Sequence, residues 1–227
     1  MIVLNKPFLI AAVVGLIAML ISTFVSAPLN GIDFHCQPGF SKPILALEFA
    51  GSVQTFQAVF GADDLEKKRT AVLVSLERDF VFILAYVAFL AAFAYALLKG
   101  RGKWLFLSPV LLAVGIGIAD LLENDALRNL TLHLESGYGA FDTVIARRLY
   151  FATWTKWLGF AVYFSVLLPY LFRDERTGRV LGIATGMVCL MAVMALLRIS
   201  WIEPYVLSIF ILFPLSVGYC FLKTRSR

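Results

Sequence analysis

Charged residues are scarce in this chain: Asp, Glu, Lys and Arg together make up 15% of its 227 residues. An average soluble domain has about 25% charged and about 45–50% apolar residues. Here 60% of the residues are hydrophobic, and the mean hydropathy is +0.84. A short soluble protein cannot keep so much apolar surface away from water. The composition therefore predicts an integral membrane protein, and it excludes disordered, collagen-like, disulfide-rich and nucleic-acid-binding proteins.

Histidine and cysteine are also rare, and their scarcity removes several kinds of site. The two histidines, His35 and His133, lie in predicted loops. We therefore expect no haem, because its axial ligands would have to lie within the spans, and no zinc site of three histidines. The sequence has no Cys-x-x-Cys pair and no glycine-rich nucleotide-binding loop. A zinc site made of His35, Cys36 and His133 stays open as an alternative; otherwise these residues predict no cofactor.

Six apolar stretches are each long enough to cross a bilayer as a helix, which takes about 20 residues. The first resembles a signal peptide, since Lys6 precedes it and a small residue, Ala27, ends it. Because Pro28 follows directly and the apolar run is long for a signal core, we count it as a span. We therefore predict an all-α fold, a single-domain bundle of six transmembrane helices. The predicted spans are 8–27, 80–98, 104–122, 153–172, 180–200 and 205–222.

The distribution of basic residues predicts the orientation. Ten of the 20 Lys and Arg residues lie in four short segments that fall on one side of the membrane if there are six spans. Cytoplasmic loops are enriched in these residues. We therefore predict a multi-pass protein of the cell (inner) membrane with both termini in the cytoplasm. The ten residues are Lys6; Lys99, Arg101 and Lys103; Arg173, Arg176 and Arg179; and Lys223, Arg225 and Arg227.

The loop 28–78 is too long for a simple connection, and it predicts a helical extracytoplasmic cap. Within it, Asp63 and Asp64 are typical N-cap residues of a helix that runs on into the second span, with solvated cations at 67–69. The other outer loop, 123–152, predicts a short helix near 141–152. An amphipathic helix lying on the outer leaflet or over the bundle is predicted by apolar residues at helical spacing. These are Leu45, Phe49, Val53, Phe56 and Phe60, with the polar Glu48, Ser52 and Gln57 between them.

Charges in or beside the spans lie mostly at the predicted outer ends. Asp120, Glu123 and Asn124 share one helical face, because they stand at positions i, i+3 and i+4. Asp120 and Glu123 are therefore candidates for catalytic acid/base groups or for ligands of a divalent cation. The residues expected to bind a substrate in an outward-facing polar pocket are Asp79, Asp120, Glu123, Asn124, Arg147, Lys156, Arg198 and Glu203.

Several of these residues also have a purely structural interpretation. Asp79 is typical of an N-cap at the start of the second span, and Glu203 before Pro204 fits the first turn of the sixth. Lys156 can extend its ammonium to the outer interface. Asp120 is expected to pair with Lys156 or Arg198, because an unpaired charge at that depth is costly. Those two cations can instead hold an anionic group.

The function that we predict is binding of an ion, a polar small molecule or a lipid head group in that pocket, for transport or lipid handling. The first alternative is a membrane enzyme that acts on a lipid at the outer leaflet through a carboxylate base or a bound divalent cation. The second is a packing subunit of a larger complex, which needs no pocket. The expected partners are membrane lipids and a small-molecule or ion ligand, without nucleic acid, and a homo-oligomer stays open.

Overall fold

The computed structural model describes residues 5–100, 102–134 and 138–225, and the regular elements in these ranges are helices. Two of the basic residues used to predict the orientation, Arg101 and Arg227, lie outside the described residues, and only the backbone is described for Lys103 and Arg225. Short 3-10 turns lie at Ala27–Leu29 and Ile199–Trp201. The α-helices are α1 Lys6–Val25, α2 Pro43–Glu48, α3 Val53–Phe60, α4 Leu65–Leu98, α5 Lys103–Leu132, α6 Ala140–Phe172, α7 Arg176–Leu197 and α8 Ile202–Arg225.

Six of the helices in these ranges, α1 and α4 to α8, are long and apolar enough to cross a membrane. The predicted all-α architecture with six candidate spans is therefore confirmed. Each of the six packs against the next along the chain, and α8 packs back against α1, so that they form a closed ring. Large apolar side chains such as Leu190 and Ile183 face outward from it, as lipid-facing residues do. Aromatic side chains fill much of its core, among them Phe89, Phe93, Tyr163, Phe164 and Phe213.

Helices α4, α5 and α6 are longer than the spans predicted for them, with 34, 30 and 33 residues. At about 1.5 Å per residue each is about 45–50 Å long, more than the roughly 30 Å of a hydrocarbon core. The extra turns, 65–79, 123–132 and 140–152, extend from one end of the ring, which we call the cap end. The predicted helix at 141–152 is thus the start of α6, and the helix after Asp64 runs into the second span as expected.

Helices α2 and α3 pack against these extensions and form a second apolar core. The single amphipathic helix predicted over 45–60 is wrong: the chain forms two short helices, separated at 49–52. Ser52 starts the second of these helices: its Oγ accepts a hydrogen bond from the Thr55 backbone N–H at 3.1 Å and so caps the N-terminus of α3. The prediction that the apolar set would be buried is confirmed for Leu45, Phe49, Val53, Phe56 and Phe60.

Two details at the start of α4 correct the sequence-based expectations. Asp64 occupies the N-cap position, but its side chain makes no capping hydrogen bond. Lys68, which was predicted to be solvated, is buried and donates a hydrogen bond from Nζ to the Phe60 carbonyl at 2.6 Å. Since that carbonyl lies at the end of α3, where helices leave carbonyls without partners, Lys68 ties α3 to α4.

Candidate functional site

Lys156 lies inside the ring near the cap end, at the centre of a group of carboxylates. Its Nζ is 3.2 Å from Asp120 Oδ1 and 3.3 Å from Glu48 Oε1, and it also contacts Glu123 Oε1. The four side chains come from three elements: the end of α2, one face of α5, and α6. None of these residues is more than 6% exposed. We call Glu48, Asp120, Glu123 and Lys156 the Lys156 cluster.

Neighbouring hydrogen-bond donors hold two of the three carboxylates. The Tyr86 hydroxyl donates to Asp120 Oδ2 at 2.7 Å, and the Trp157 indole N–H donates to Glu48 Oε2 at 3.2 Å. Each oxygen of Asp120 and Glu48 therefore has a partner. Glu123 differs, because its Oε2 is buried without a hydrogen-bond partner among the described residues. The carboxylates of Asp120 and Glu48 are thus fixed in orientation, whereas Glu123 retains an unused acceptor.

The cluster has more acidic than basic groups. Three carboxylates surround one ammonium, so full ionisation would leave an excess of negative charge on side chains that are almost fully buried. Burial of uncompensated charge is costly. Glu48, which lies outside the candidate spans, shows this cost of buried charge. Burial raises the pKa of its carboxyl, although the nearby Lys156 ammonium acts in the opposite direction. With all three carboxylates ionised, the cluster is therefore deficient in positive charge.

A cavity of about 1090 Å³ reaches the cluster from the side of the ring. Glu48, Asp120 and Lys156 line its inner end, where they are almost fully buried. Leu207 and Phe210 of α8 also line it, yet they are 59% and 51% exposed, so they lie at its mouth. The facing wall of the mouth comes from α1. Its residues in the lining are Met19, Ser22 and Thr23, and Ser26 at its C-cap also lines the cavity.

Glu203 closes the rim of this cavity at the cap end. Its carboxylate accepts hydrogen bonds from the Ser41 backbone N–H and hydroxyl, at 2.6 and 2.7 Å, and from the Lys42 backbone N–H at 2.7 Å. The residue lies in the first turn of α8, as predicted. Its carboxylate is occupied by the loop that precedes α2, so its observed contacts are with this loop, beside the cavity.

The predicted pairing of Asp120 with Lys156 or Arg198 is confirmed, and the partner is Lys156. Arg198 is exposed, because the chain leaves α7 there with extended backbone angles (φ −146°, ψ 119°). Arg147 is exposed as well, and neither arginine has an ion pair among the described residues. The expectation that Lys156 extends to the interface is also wrong, since three carboxylates hold its ammonium inside the ring.

Asp79 and Asn124 form a separate pair beside the cluster. The Asn124 side-chain amide donates to Asp79 Oδ2 at 2.7 Å. The N-cap role predicted for Asp79 is wrong, because α4 begins at Leu65 and places Asp79 well inside the helix. Neither residue lines the cavity, so their predicted contact with a substrate is without structural support.

Glu48, Tyr86 and Trp157 belong to the site but were not predicted as candidates. Glu48 was taken for a polar position on the surface of the cap helix. One signal for its burial was available: it is the only charged residue in the apolar run 43–50, and an isolated acid in such a run needs a partner when buried. Tyr86 and Trp157 carried no comparable signal, because both residue types are common at membrane interfaces.

No group of three or more His, Cys, Asp or Glu in the described part of the chain is arranged to hold a metal ion. In the Lys156 cluster the lysine nitrogen takes the place between the carboxylates that a divalent cation would need. His133, one of the three residues considered for zinc, contacts Asp142 through Nδ1 at 2.6 Å. The chain matches no model of a known protein family, no curated protein and no solved structure.

Proposed function

We propose that this multi-pass membrane protein binds a lipid-like amphiphile, with the polar head group at the Lys156 cluster and the apolar chain in the side opening between α1 and α8. The observation that carries the proposal is the cavity of about 1090 Å³, because it connects apolar residues at the ring surface with buried charges. Ligand pockets commonly measure about 300–1,000 Å³, so this volume suits a head group with part of its chain. The basic residues opposite the cap end favour access from the outer leaflet.

Binding or transfer within one leaflet is favoured over transport across the membrane. Away from the cap end, the core of the ring is packed with aromatic side chains. Buried hydroxyls there donate to helix carbonyls, as Tyr163 does to Leu90 at 2.7 Å and Ser216 does to Leu212 at 2.8 Å. A polar solute crossing this region would have to lose its water without gaining partners.

A second candidate function, an enzyme that acts on a lipid, is favoured by one feature of Glu123. Its buried Oε2 lacks a partner among the described residues, so Glu123 has capacity for a proton, a water molecule or, if Lys156 moves, a divalent cation. In this hypothesis Glu123 or Asp120 is the general base. Product formation from labelled lipids by the purified protein would distinguish an enzyme from a binding protein. A packing subunit needs no cavity, so the cavity counts against that alternative.

Photo-crosslinking tests the proposed site. Protein in phosphatidylcholine nanodiscs is incubated with diazirine-labelled 16-carbon chains that end in an amine, an alcohol or a carboxylate. We expect labelled peptides from the mouth of the cavity in α1 and α8, and at least tenfold less labelling there after Ser22→Trp, which fills the cavity. The matched control is Ile17→Trp on the same helix, where the side chain is 48% exposed and does not line the cavity. Uniform labelling around the ring, insensitive to Ser22→Trp, would overturn the proposal.

The orientation can be tested by thiol labelling in intact cells. Thr177 is exposed at the end of the ring opposite the cap, and Thr177→Cys should resist a membrane-impermeant reagent until the cells are permeabilised. The neighbouring Gly178 is less suitable for the cysteine, because a Cβ there would lie 2.5 Å from Asp174 Cβ. Ala62→Cys, exposed on the cap, should react at once. Both variants need a Cys36→Ser background. Immediate labelling at position 177 would reverse the orientation.

A further inference from the structure

We infer that the head group selected by the cavity is an organic ammonium rather than an anionic or neutral group. This inference rests on the proposed function, since it assigns the chemistry of the head group at the same site. It depends on three observations: the charge of the cluster, the aromatic wall beside it, and the ion pairs that already occupy its one lysine.

The charge observation concerns the two carboxylates at the inner end of the cavity. Glu48 and Asp120 face it, whereas Glu123 does not line it. Their four oxygens each make one contact: two with Lys156, one with Tyr86 and one with Trp157. A carboxylate oxygen has two lone pairs, so each can accept a further N–H donor. A second cation at this position would offset the negative charge that Lys156 leaves uncompensated when all three carboxylates are ionised.

The second observation is a continuous wall of aromatic rings next to these carboxylates. The centroid of Tyr86 is 5.3 Å from that of Phe82 and 5.6 Å from that of Phe160, and Phe160 is 5.9 Å from Trp157. All four residues line the cavity. Aromatic faces attract ammonium groups, most strongly where water is excluded. The wall already serves one cation, since Lys156 Nζ lies 4.7 Å from the Trp157 ring centroid.

The third observation disfavours an anionic head group. Lys156 is the one cationic side chain in the inner part of the cavity, and three carboxylates hold its ammonium. A phosphate or carboxylate would have to displace one of them and would add negative charge to a cluster that already has an excess. Lys42, the other cation of the lining, is exposed at the rim. A neutral hydroxyl would bind without correcting the charge.

The test compares probes that share one chain and differ in the head group: hexadecylamine, hexadecanol and hexadecanoate at pH 7, with methylammonium as an ammonium without a chain. Dissociation constants are measured by calorimetry with the protein in a maltoside detergent. We expect hexadecylamine to bind at least tenfold more tightly than hexadecanol, and hexadecanoate to bind most weakly. Methylammonium should bind at least tenfold more weakly than hexadecylamine, because it lacks the chain.

Variants connect the preference to the two acids at the inner end of the cavity. Glu48→Gln with Asp120→Asn should bring hexadecylamine and hexadecanol to within about threefold of each other. The matched control is Asp125→Asn, which changes an acid on the same helix whose partner is Arg148, 3.1 Å away and outside the cavity. This variant should keep the full preference. If the double variant does not fold, Asp120→Asn alone should still reduce the preference at least threefold.

The outcomes separate the inference from the proposed function. Equal binding of the three long-chain probes at the cavity, or tightest binding of hexadecanoate, would overturn the ammonium inference and leave an amphiphile site in place. Binding of methylammonium as tight as that of hexadecylamine would support the ammonium site and remove the role of the chain. Failure of all four probes to bind would overturn both proposals.

Discussion

Two lysines of this protein have similar surroundings at opposite ends of the ring. Lys156 contacts three carboxylates, and Lys223 contacts Asp174 at 3.0 Å and Glu175 at 3.3 Å. We call Asp174, Glu175 and Lys223 the Lys223 cluster. Each lies over an aromatic ring, at 4.7 Å from Trp157 and 5.8 Å from Tyr219. In each cluster a tyrosine hydroxyl donates to one carboxylate, from Tyr86 to Asp120 and from Tyr219 to Asp174.

The difference between them lies in the surroundings rather than in the residue types. Glu175 is 74% exposed, so water solvates the excess acid of the Lys223 cluster. The contacts of this cluster join the turn before α7 to the end of α8. The carboxylates around Lys156 are all buried, and a cavity ends at two of them. Similar residue types therefore join two segments of the fold at one end of the ring and form a candidate binding site at the other. The following predictions test that contrast.

The largest effect is expected from removal of the two ammonium groups. Lys156→Met leaves three buried carboxylates without a cation, so the free energy of unfolding should fall by about 3–5 kcal/mol. Lys223→Met should cost about 1–2 kcal/mol, because water reaches its partners. Unfolding by dodecyl sulfate in mixed micelles measures both values. Equal losses would show that burial does not distinguish the two clusters.

The next contrast separates stability from binding. Asp120→Asn keeps the shape of the side chain and lowers the excess of acid, so the free energy of unfolding should change by less than about 1 kcal/mol. Hexadecylamine binding should nevertheless fall at least tenfold. Asp174→Asn, the matched change in the Lys223 cluster, should leave binding unchanged.

A double variant tests whether Asp120 acts only as a structural partner of Lys156. Asp120→Asn should rescue part of the stability lost in Lys156→Met, and the rescue should be incomplete because Glu48 and Glu123 remain without a cation. Hexadecylamine binding should stay as weak as in Asp120→Asn alone. A double variant that bound hexadecylamine as tightly as the unmodified protein would reduce Asp120 to an ion-pair partner.

The fold could be predicted where local composition decides it, and less well where packing does. Six apolar runs specify the spans, because each must satisfy its own backbone in a helix. The turns at 123–132 were predicted as a loop although they continue α5. They are amphipathic rather than uniformly apolar, with Ala126, Leu127 and Leu130 buried against the cap. The helical spacing of these apolar residues is visible in the sequence, but the segment is not apolar enough to be predicted as part of a membrane span.

The residues of the candidate site also differ in how well they could be predicted from the sequence. Asp120, Glu123 and Lys156 could be predicted, because an acid pair at i, i+3 and a lysine inside apolar runs demand partners. Glu48 could not be placed with them, since its position depends on how the loop 28–64 folds back over the ring. Arg198 was assigned to the site by depth alone, and depth does not determine which way a side chain points once a helix has ended.

The pH dependence of stability should have opposite signs in the two clusters. The pKa of Glu48 is raised by burial, so its contribution is present below the ordinary glutamate pKa and is lost as the pH rises through the higher folded value. Partial burial raises the pKa of Asp174, but hydrogen bonds from Tyr219 and Lys223 outweigh it and lower the pKa. The contribution of Asp174 is therefore present above the ordinary aspartate pKa and is lost as the pH falls through the lower folded value.

Two variants should reveal these signs in unfolding midpoints measured from pH 3 to 8. Glu48→Gln should gain stability relative to the unmodified protein as the pH rises above the ordinary glutamate pKa. Asp174→Asn should lose stability relative to it as the pH rises through the acidic range. Parallel curves for both variants would mean that the two clusters do not differ in their balance of charge.

The smallest effect on binding, and the sharpest comparison, comes from the two tyrosines. Tyr86→Phe and Tyr219→Phe each remove one hydroxyl that donates to a carboxylate, at 2.7 and 2.6 Å. Each should lower the free energy of unfolding by about 0.5–1.5 kcal/mol, since a single hydrogen bond is lost and the ring remains. The two variants should differ in binding, because Tyr86 orients a carboxylate that lines the cavity and Tyr219 does not. Hexadecylamine affinity should fall about threefold to tenfold in Tyr86→Phe and stay unchanged in Tyr219→Phe. A loss of affinity in both, or in neither, would contradict the assignment of binding to the Lys156 cluster alone.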